Sequence, residues 1–335
     1  MTEPIALAIV DSSQAGEARR KAIALSRRLG FSEVEQGKVG LVVTEVANNL
    51  ANHAVEGQLL LCALEQQGQA GLQILALDRG PGIRDIGLCL QDGFSTAGTP
   101  GNGLGAMQRL SDLFEIYSLP EQGTAILCQI WVGSTLPRSS AGLELGAVCL
   151  PKSGEEISGD SWSICALDQH RYLILVADGL GHGTLAAHAS LEAVRVFQEQ
   201  SHCPPADILA TAHQALRSTR GAAIAIAAID IDQQTVVYAG IGNIAGCLCT
   251  AEQSTSMVSH NGTIGHELRK IQAFNYSWSS DKLLIMHSDG LRTQWRLDHY
   301  PGLCNQHPSL IAGVLYRDFN RGRDDVTVLV AREVN

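Results

Sequence analysis

The chain has 335 residues, of which 45% are hydrophobic and 17% charged, so it is long enough for two domains that each bury a core. Its net charge of −10 argues against nucleic-acid binding, which needs a basic surface. No apolar run reaches the roughly 18 residues of a membrane span, and the N-terminus lacks the basic start of a signal peptide. We therefore expect a cytoplasmic protein with no membrane segment and no nucleic-acid partner.

One Gly/Ser/Pro-rich stretch, GSTLPRSSAG, separates two halves that both have the patterns of folded domains. It predicts a first domain over residues 1–133, a linker over 134–142 and a second domain over 143–335. The nine cysteines include no Cys-x-x-Cys pair, which favours reduced thiols in a cytoplasm.

The first half begins with the apolar segment IALAIV, and the helical spacing of its next apolar residues predicts helices near 17–29 and 38–54. The strands QLLLCALEQ and GLQILALD follow, joined by a turn. A Gly-rich loop then precedes a helix at 104–113, and the strands FEIYSL and GTAILCQIWV close the half. This order predicts an α/β sandwich, with an antiparallel sheet on one face of the helices.

The second half alternates strands and helices in a different order. Three strands come first, near 143–150, 162–168 and 171–177. Two helices follow, near 183–200 and 206–218. The remaining strands are predicted near 222–231, 234–240 and 244–249, and in KLLIMHSDG and DVTVLVA. Many strands with two consecutive helices predict stacked sheets covered by helices, so the whole chain belongs to the α+β class.

Two polar motifs in the first half stand beside predicted buried segments. Glu45 and Asn49 are four residues apart and share a helix face next to the apolar stripe, where polar groups need partners. At the end of the second strand, DRGPGI has the form Asp-x-Gly-x-Gly. Asp78 can accept a hydrogen bond from an exocyclic amine such as adenine N6, and Gly80 and Gly82 would let a flat base approach the backbone. Taken alone, these are equally a solvated helix edge and an ordinary turn.

A third motif, PGNGLGAM, opens the helix predicted at 104–113. Gly101, Gly103 and Gly105 leave backbone amides free beside a helix N-terminus, where phosphate groups are favoured. A single such motif is weak evidence because glycines also make plain turns. The chain has no Walker-type GxxxxGK[ST] sequence, so a phosphate site here would differ from a P-loop.

The three motifs, in this order, resemble those of the Bergerat-fold ATPases, the superfamily of gyrase, Hsp-type chaperones and histidine kinases. Residues 5–132, with DGFSTAGTPGNGLGAMQRLSDLFEIYS, are most similar to its anti-sigma-factor serine kinases and stressosome switch kinase, the RsbW and RsbT type. The resemblance implies a Bergerat-type fold, often found as a homodimer, that binds ATP with Mg²⁺ held through Asn49. It further implies that Glu45 polarises a serine hydroxyl or a water, that Asp78 reads adenine and that the 101–105 loop wraps the phosphates.

Acidic residues stand at four strand ends of the second half. They are Asp160 in SGDSW, Asp178 in VADGLGHG, Asp289 in HSDG, and the adjacent Asp324 and Asp325 in RGRDD. Convergent carboxylates repel one another unless cations lie among them, and oxygen ligands suit Mg²⁺ or Mn²⁺. Each aspartate alone is also typical of a cap or a turn. A dinucleotide loop at VADGLGHG is disfavoured, because a helix is predicted where that fold needs an acidic strand end.

These segments, with GNI, NGTIG and RDDVTVLV, resemble the metal-dependent protein phosphatase 2C family and its SpoIIE and RsbX branch over residues 143–332. The resemblance implies an α-β-β-α sandwich that hydrolyses phosphoserine with a water activated by two Mn²⁺ or Mg²⁺ ions. It implies that Asp178 bridges the ions and that the carbonyl of Gly179 assists. The remaining implied ligands are Asp160, Asp289 and Asp324, with Asp325 as an alternative to Asp324.

The sequence therefore predicts a bifunctional partner-switching regulator. Its first domain would phosphorylate a STAS-type antagonist or a stressosome-like phosphoprotein on Ser/Thr, and its second would remove phosphate from the same or a related partner. The alternative is a phosphatase whose first domain is a catalytically idle module that senses nucleotide or binds a partner. The acidic residue at Glu45 favours an active kinase.

Overall fold

The computed structural model describes residues 4–90, 103–134 and 142–334. The chain divides into two compact units, Met1–Arg138 and Ser139–Asn335, and each unit combines helices with antiparallel sheet. Among the described residues, no helix has both the length and the apolar character needed to cross a bilayer. The α+β class predicted from the sequence is confirmed.

The first unit is a layer of helices on a five-stranded antiparallel sheet. In spatial order its strands are β1 (Ile5–Ala8), β2 (Gln58–Gln66), β3 (Gln69–Leu77), β5 (Thr124–Trp131) and β4 (Leu113–Ser118). Its helices are α1 (Ser13–Arg28), α2 (Glu33–His53), the single turn α3 (Ile86–Cys89) and α4 (Gly103–Leu110). One apolar core joins the inner face of the sheet to α1, α2 and α4.

Helix α2 begins five residues before its predicted start because a capping box forms at Ser32. The Ser32 hydroxyl accepts the Glu35 backbone N–H at 3.3 Å, and the Glu35 carboxylate accepts the Ser32 N–H at 2.7 Å. The other Glu35 oxygen accepts the Gly133 N–H at 2.7 Å. The stripe from Val39 to Leu50 is buried in the core, which holds the neighbouring polar face of the helix at the edge of the packed layer.

The second unit contains two five-stranded antiparallel sheets with helices on their outer faces. The first sheet has the order β13 (Phe274–Ser277), β10 (Thr235–Ile241), β9 (Ala222–Asp230), β8 (Arg171–Gly179) and β7 (Asp160–Ala166). The second has the order β12 (Ser254–Met257), β11 (Ala245–Cys249), β14 (Leu283–His287), β15 (Val326–Val334) and β6 (Gly142–Leu150). Helices α5 (Thr184–Glu199) and α6 (Pro205–Ala215) cover the first sheet, and α7 (Pro308–Phe319) covers the second.

Strand β8 is buried on both faces, which explains its unbroken apolar run YLILVA. Leu173 and Leu175 face the core under α5 and α6, whereas Ile174 and Val176 face the core between the two sheets. The alternation follows from the two-residue period of a strand. The architecture is the predicted α-β-β-α sandwich. Strand β8 runs through it and ends just after Asp178.

Among the strands and α-helices described in the second unit, three are absent from the sequence-based prediction: β12, β13 and α7. Helix α7 has no amphipathic stripe to detect, because every residue from Pro308 to Arg317 is buried. Its start is nevertheless well defined, since Pro308 occupies the first helical turn and the His307 ring accepts the Ser309 N–H at 3.0 Å.

Helix α7 crosses β6 at Gly146, where an added Cβ would overlap the backbone nitrogen of Ser309. We expect Gly146→Ala to force the helix away from the sheet and to lower the free energy of unfolding by about 1–3 kcal/mol. Gly37→Ala is the matched control, because an added Cβ at that position in α2 meets nothing within 4 Å. The control should leave stability unchanged or raise it by up to about 1 kcal/mol. Equal urea midpoints for Gly146→Ala and the wild-type protein would contradict this close packing.

Candidate functional site

Two of the predicted metal-binding aspartates lie side by side at the edge of the first sheet of the second unit. Strand β7 begins at Asp160 and β8 ends just after Asp178, and the antiparallel register places these two residues directly opposite each other. Side chains at such positions share one face, with Cβ atoms about 4.5–5.5 Å apart. The fold therefore holds two carboxylates together before any ligand is considered.

Asp160 is buried among polar groups of the second sheet without a proper hydrogen bond. Asp160 is only 3% exposed to solvent. Among the described residues, neither of its carboxylate oxygens has a hydrogen-bond partner. Burial raises the pKa of Asp160 to about 7, although the nearby hydroxyls of Ser288 and Thr327 oppose the shift. A buried carboxylate in this state is costly unless a cation compensates it.

Asp178 experiences the combined charge of the other predicted ligands. The pKa of Asp178 is raised to about 9. Burial is the largest cause, and the negative charges of four further aspartates raise the pKa further. Those residues and Asp178 are here called the carboxylate cluster: Asp160, Asp178, Asp289, Asp324 and Asp325. Because each of the four contributes to the shift, the predicted acidic strand ends lie near enough to interact electrostatically with Asp178.

The remaining members of the cluster are held by separate donors. Asn243 Nδ2 donates to Asp289 Oδ2 at 2.7 Å, and the Asp325 N–H donates to Asp324 Oδ1 at 3.0 Å. Over residues 4–90, 103–134 and 142–334, no three or more His, Cys, Asp or Glu side chains are already arranged as the ligand set of one ion. Mutual repulsion explains why these carboxylates each face a different donor.

The two adjacent aspartates differ in what they do in the fold. The Asp325 carboxylate accepts the backbone N–H of Lys152 at 2.8 Å and that of Gly159 at 3.0 Å, so both of its oxygens are engaged. This pair of bonds joins the segment before β7 to the start of β15. Asp324 is only partly buried and accepts a single N–H, that of its neighbour. The geometry thus leaves Asp324 freer than Asp325 to turn toward an ion.

The glycines after Asp178 are required by the path of the chain. A Cβ on Gly179 would overlap the backbone of Ala186, because the start of α5 packs directly against the end of β8. Gly181 and Gly183 have φ of +92° and +71°, a region that favours glycine. Within the same loop, His182 Nδ1 lies 2.7 Å from Glu155 Oε1. The loop therefore turns tightly beside the carboxylate cluster.

In the first unit, Glu45 and Asn49 face the start of α4. A Cβ added to Gly103 would lie 3.1 Å from Glu45 Oε2 and 3.5 Å from Asn49 Oδ1. Both side chains are partly buried, and Gly105 is buried two residues further along α4. Gly101 lies outside the described residues. The predicted base, the predicted Mg²⁺ ligand and the second glycine of the predicted phosphate loop are thus neighbours.

The Asp-x-Gly-x-Gly turn packs against the far end of α2. The Asp78 carboxylate accepts the Gly80 N–H at 2.6 Å, and a Cβ on Gly80 would lie 2.7 Å from the His53 carbonyl oxygen. Gly82 has φ of +69°, and a Cβ there would overlap the Leu119 backbone. The protein's own backbone therefore explains both glycines, and a role for them in approaching a base stays a prediction. All three motifs nevertheless lie along α2.

Comparison with known proteins assigns the two units. Residues 10–130 match the histidine kinase-like ATPase domain family, and residues 168–333 match the Stage II sporulation protein E (SpoIIE) family. Serine/threonine-protein kinase RsbT of Bacillus subtilis (strain 168) is 38% identical over 108 residues, which are 32% of this chain and 81% of RsbT. The chain belongs to the RsbT family. It is a fusion of an RsbT-type ATPase domain and a SpoIIE-type phosphatase domain.

Further similarities agree with this fusion. Phosphoserine phosphatase RsbX of Bacillus subtilis (strain 168) is 28% identical over 143 residues, which are 42% of this chain and 71% of RsbX. A solved structure described as "The bacterial stressosome: a modular system that has been adapted to control secondary messenger signaling" is 26% identical, with a TM-score of 0.52. The matched region covers 57% of this chain and 99% of the chain in that structure. The SpoIIE-type domain is thus of the protein phosphatase 2C type.

The sequence did not identify the polar residues that surround the carboxylate cluster. Ser288 and Thr327 lie beside Asp160, and Asn243 holds Asp289. A signal existed for Asn243, since GNI was part of the phosphatase resemblance although no role was given to it. Ser288 directly precedes Asp289, and Thr327 lies two residues after Asp325, but only the packing of the two sheets brings them to Asp160.

The raised pKa of Asp178 predicts a pH-dependent instability of the SpoIIE-type domain in a metal chelator. An unfolded aspartate ionises near pH 4, whereas folded Asp178 keeps its proton up to about pH 9, so stability should fall as pH rises between these values. Asp178→Asn cannot ionise. At pH 8 in chelator we expect it to be more stable than wild type by at least about 1 kcal/mol, and at pH 4 nearly equal. Urea unfolding at both pH values measures this, and a difference independent of pH would contradict it.

Proposed function

We propose that the chain is a bifunctional regulator that phosphorylates and dephosphorylates a protein partner on Ser/Thr. The observation that carries the phosphatase half is the pairing of Asp160 with Asp178, in which buried carboxylate oxygens without partners face a second carboxylate. Support for the kinase half comes from Glu45 and Asn49, which lie against Gly103. The family assignments agree with both halves.

The carboxylate cluster suits two divalent cations of the Mg²⁺ or Mn²⁺ type. Its donors are oxygens, which these ions prefer, and both Asp160 oxygens are buried without hydrogen bonds. When bound, such ions supply positive charge that offsets the carboxylates and activates water for attack on phosphorus. We assign the central position to Asp178, because the other four carboxylates all act on it.

The other members of the site have distinct roles in this proposal. Asp160, Asp289 and Asp324 would complete the carboxylate ligands, with the Gly179 carbonyl as an additional one. Asp325 would act as a positioning residue, since its two backbone hydrogen bonds hold the segment that leads into Asp160. Asn243 would orient the Asp289 carboxylate through its hydrogen bond.

The RsbT-type domain would bind ATP along α2. Asp78 would read the adenine, Asn49 would hold Mg²⁺, and the 101–105 loop would contact the phosphates. Glu45 would accept the proton of the attacking serine or threonine hydroxyl, since general bases act within hydrogen-bond reach of that proton. An idle domain has no need of a carboxylate at this place, and the partly buried Glu45 beside Gly103 therefore supports transfer.

We infer that the partner is a STAS-type antagonist or a stressosome-like phosphoprotein. The inference rests on the similarity to RsbT and RsbX, a kinase and a phosphoserine phosphatase, and to a protein from a stressosome study. Opposing activities in one chain would let a single regulator set the phosphorylation state of that partner. The nine free cysteines agree with a cytoplasmic location, and the resemblance to the RsbT type implies a homodimer.

We expect the full chain to release phosphate from the phosphorylated partner in the presence of Mn²⁺, and we expect Asp178→Asn to reduce the rate at least about 100-fold. Changes outside the inner ligand shell already cost about 10–100-fold, so a central ligand should cost more. Asp232→Asn is the matched control, because Asp232 is exposed and follows the opposite end of β9. Similar rates for Asp178→Asn and wild type would refute the metal-centred proposal.

The kinase half is tested with γ-labelled ATP, Mg²⁺ and the unphosphorylated partner, in the Asp178→Asn background so that phosphate is retained. Glu45→Gln should lower the transfer rate by about 10²–10⁴-fold, because it removes the proton acceptor while keeping the side-chain shape. The control is Glu65→Gln at the exposed end of β2. If ATP binds but neither protein transfers phosphate, the idle-module alternative is correct.

A further inference from the structure

Arg220 stands beside the loop that follows Asp178. In the first sheet of the second unit, Gly179 pairs with Ala222, and the Leu180 N–H donates to the Gly221 carbonyl oxygen at 3.0 Å. The next residues in this antiparallel register are Gly181 and Arg220. The strand pairing itself therefore places Arg220 next to the turn between Asp178 and α5.

The guanidinium group of Arg220 lies over that turn. A Cβ added to Gly181 would lie 2.8 Å from Arg220 Nη1, so the arginine fills the space that a larger residue would take. Gly181 is three positions after Asp178, which limits the distance between their Cα atoms to about 11 Å. Arg220 thus stands over the turn that leads from Asp178 of the carboxylate cluster into α5.

The backbone around Arg220 is held on both sides. The Thr219 hydroxyl donates to the Leu216 carbonyl at 2.8 Å and accepts the Gly221 N–H at 3.0 Å. Ala222 and Ile264 exchange two backbone hydrogen bonds of 3.0 and 2.9 Å. The position from which the side chain extends is therefore defined by the fold, and only the side chain itself has to order when a ligand binds.

Arg220 is one of several arginines of this unit that have no acidic partner among the described residues, and it is the one that lies over the turn after Asp178. Arg171, Arg195 and Arg332 each form an ion pair with a carboxylate. Among the residues that the structure describes, no hydrogen bond or ion pair engages the exposed Arg220 guanidinium. Its five N–H donors are therefore available, in a planar arrangement that matches the oxygens of a phosphate group.

We propose that Arg220 binds a non-bridging phosphate oxygen of the substrate at the phosphatase site. The inference rests on the proposed phosphatase function. A phosphorylated side chain that reaches the carboxylate cluster carries negative charge into an acidic region. An unpaired guanidinium over the adjacent turn offers charge-assisted hydrogen bonds that would hold the phosphate there. Arg220 is accordingly a substrate-binding residue that acts on affinity more than on the chemical step.

The test uses the full chain with Mn²⁺, p-nitrophenyl phosphate as substrate and inorganic phosphate as competitive inhibitor. Loss of one exposed charge-assisted contact is worth about tenfold in affinity, so Arg220→Ala should raise KM and the phosphate inhibition constant by about tenfold each. The value of kcat should change by less than about threefold. Arg220→Lys keeps the charge but loses the planar pair of donors, so its KM and inhibition constant should lie between those of wild type and Arg220→Ala.

Arg217→Ala is the matched control, since Arg217 is exposed on the short helical turn Leu216–Ser218 and its loss changes the net charge equally. It should leave both constants unchanged. Wild-type KM and inhibition constant in Arg220→Ala, or a fall in kcat alone, would overturn the role of Arg220. If wild type hydrolyses no p-nitrophenyl phosphate with Mn²⁺ or Mg²⁺, the proposed phosphatase function fails first, and this inference fails with it.

Discussion

The second unit depends on one unfavourable contact, the cross-strand pairing of Asp160 with Asp178 at a buried sheet edge. Hydrophobic packing on both faces of β8 fixes the register, so the two carboxylates cannot move apart without breaking the sheet. The apolar core thus stabilises an arrangement of like charges that is costly by itself. Such local conflicts are typical of functional sites, where stability is given up for a ligand that restores it.

The members of the carboxylate cluster differ in how many hydrogen bonds their oxygens accept. Asp325 and Asp289 have backbone or amide donors, whereas Asp160 has both oxygens buried without partners. The difference separates residues that hold the loops from residues that face the centre of the cluster. The glycines that follow Asp178 serve the same end, because they let α5 begin directly against β8 and leave room for Arg220 over the turn.

The motif-bearing elements were predictable from the sequence, because strand alternation and helical periodicity are local signals. Strand β8 and helix α2 are clear examples, although only the Ser32 capping box sets the true start of α2. Helix α7 was missed because burial all round removes its periodicity. The edge strands β12 and β13 are four residues each and carry little signal. Contacts between distant segments, such as Ser288 and Thr327 with Asp160, depend on how the two sheets pack on each other, which the sequence alone does not specify.

We propose that divalent ions resolve the repulsion between Asp160 and Asp178. Calorimetric titration of the full chain with Mn²⁺ at pH 8, without ATP and in buffers of different ionisation enthalpy, measures it directly. We expect about two ions per chain, with protons released as the carboxyl groups whose pKa is raised become ionised. Binding without proton release, or no saturable binding at all, would contradict it.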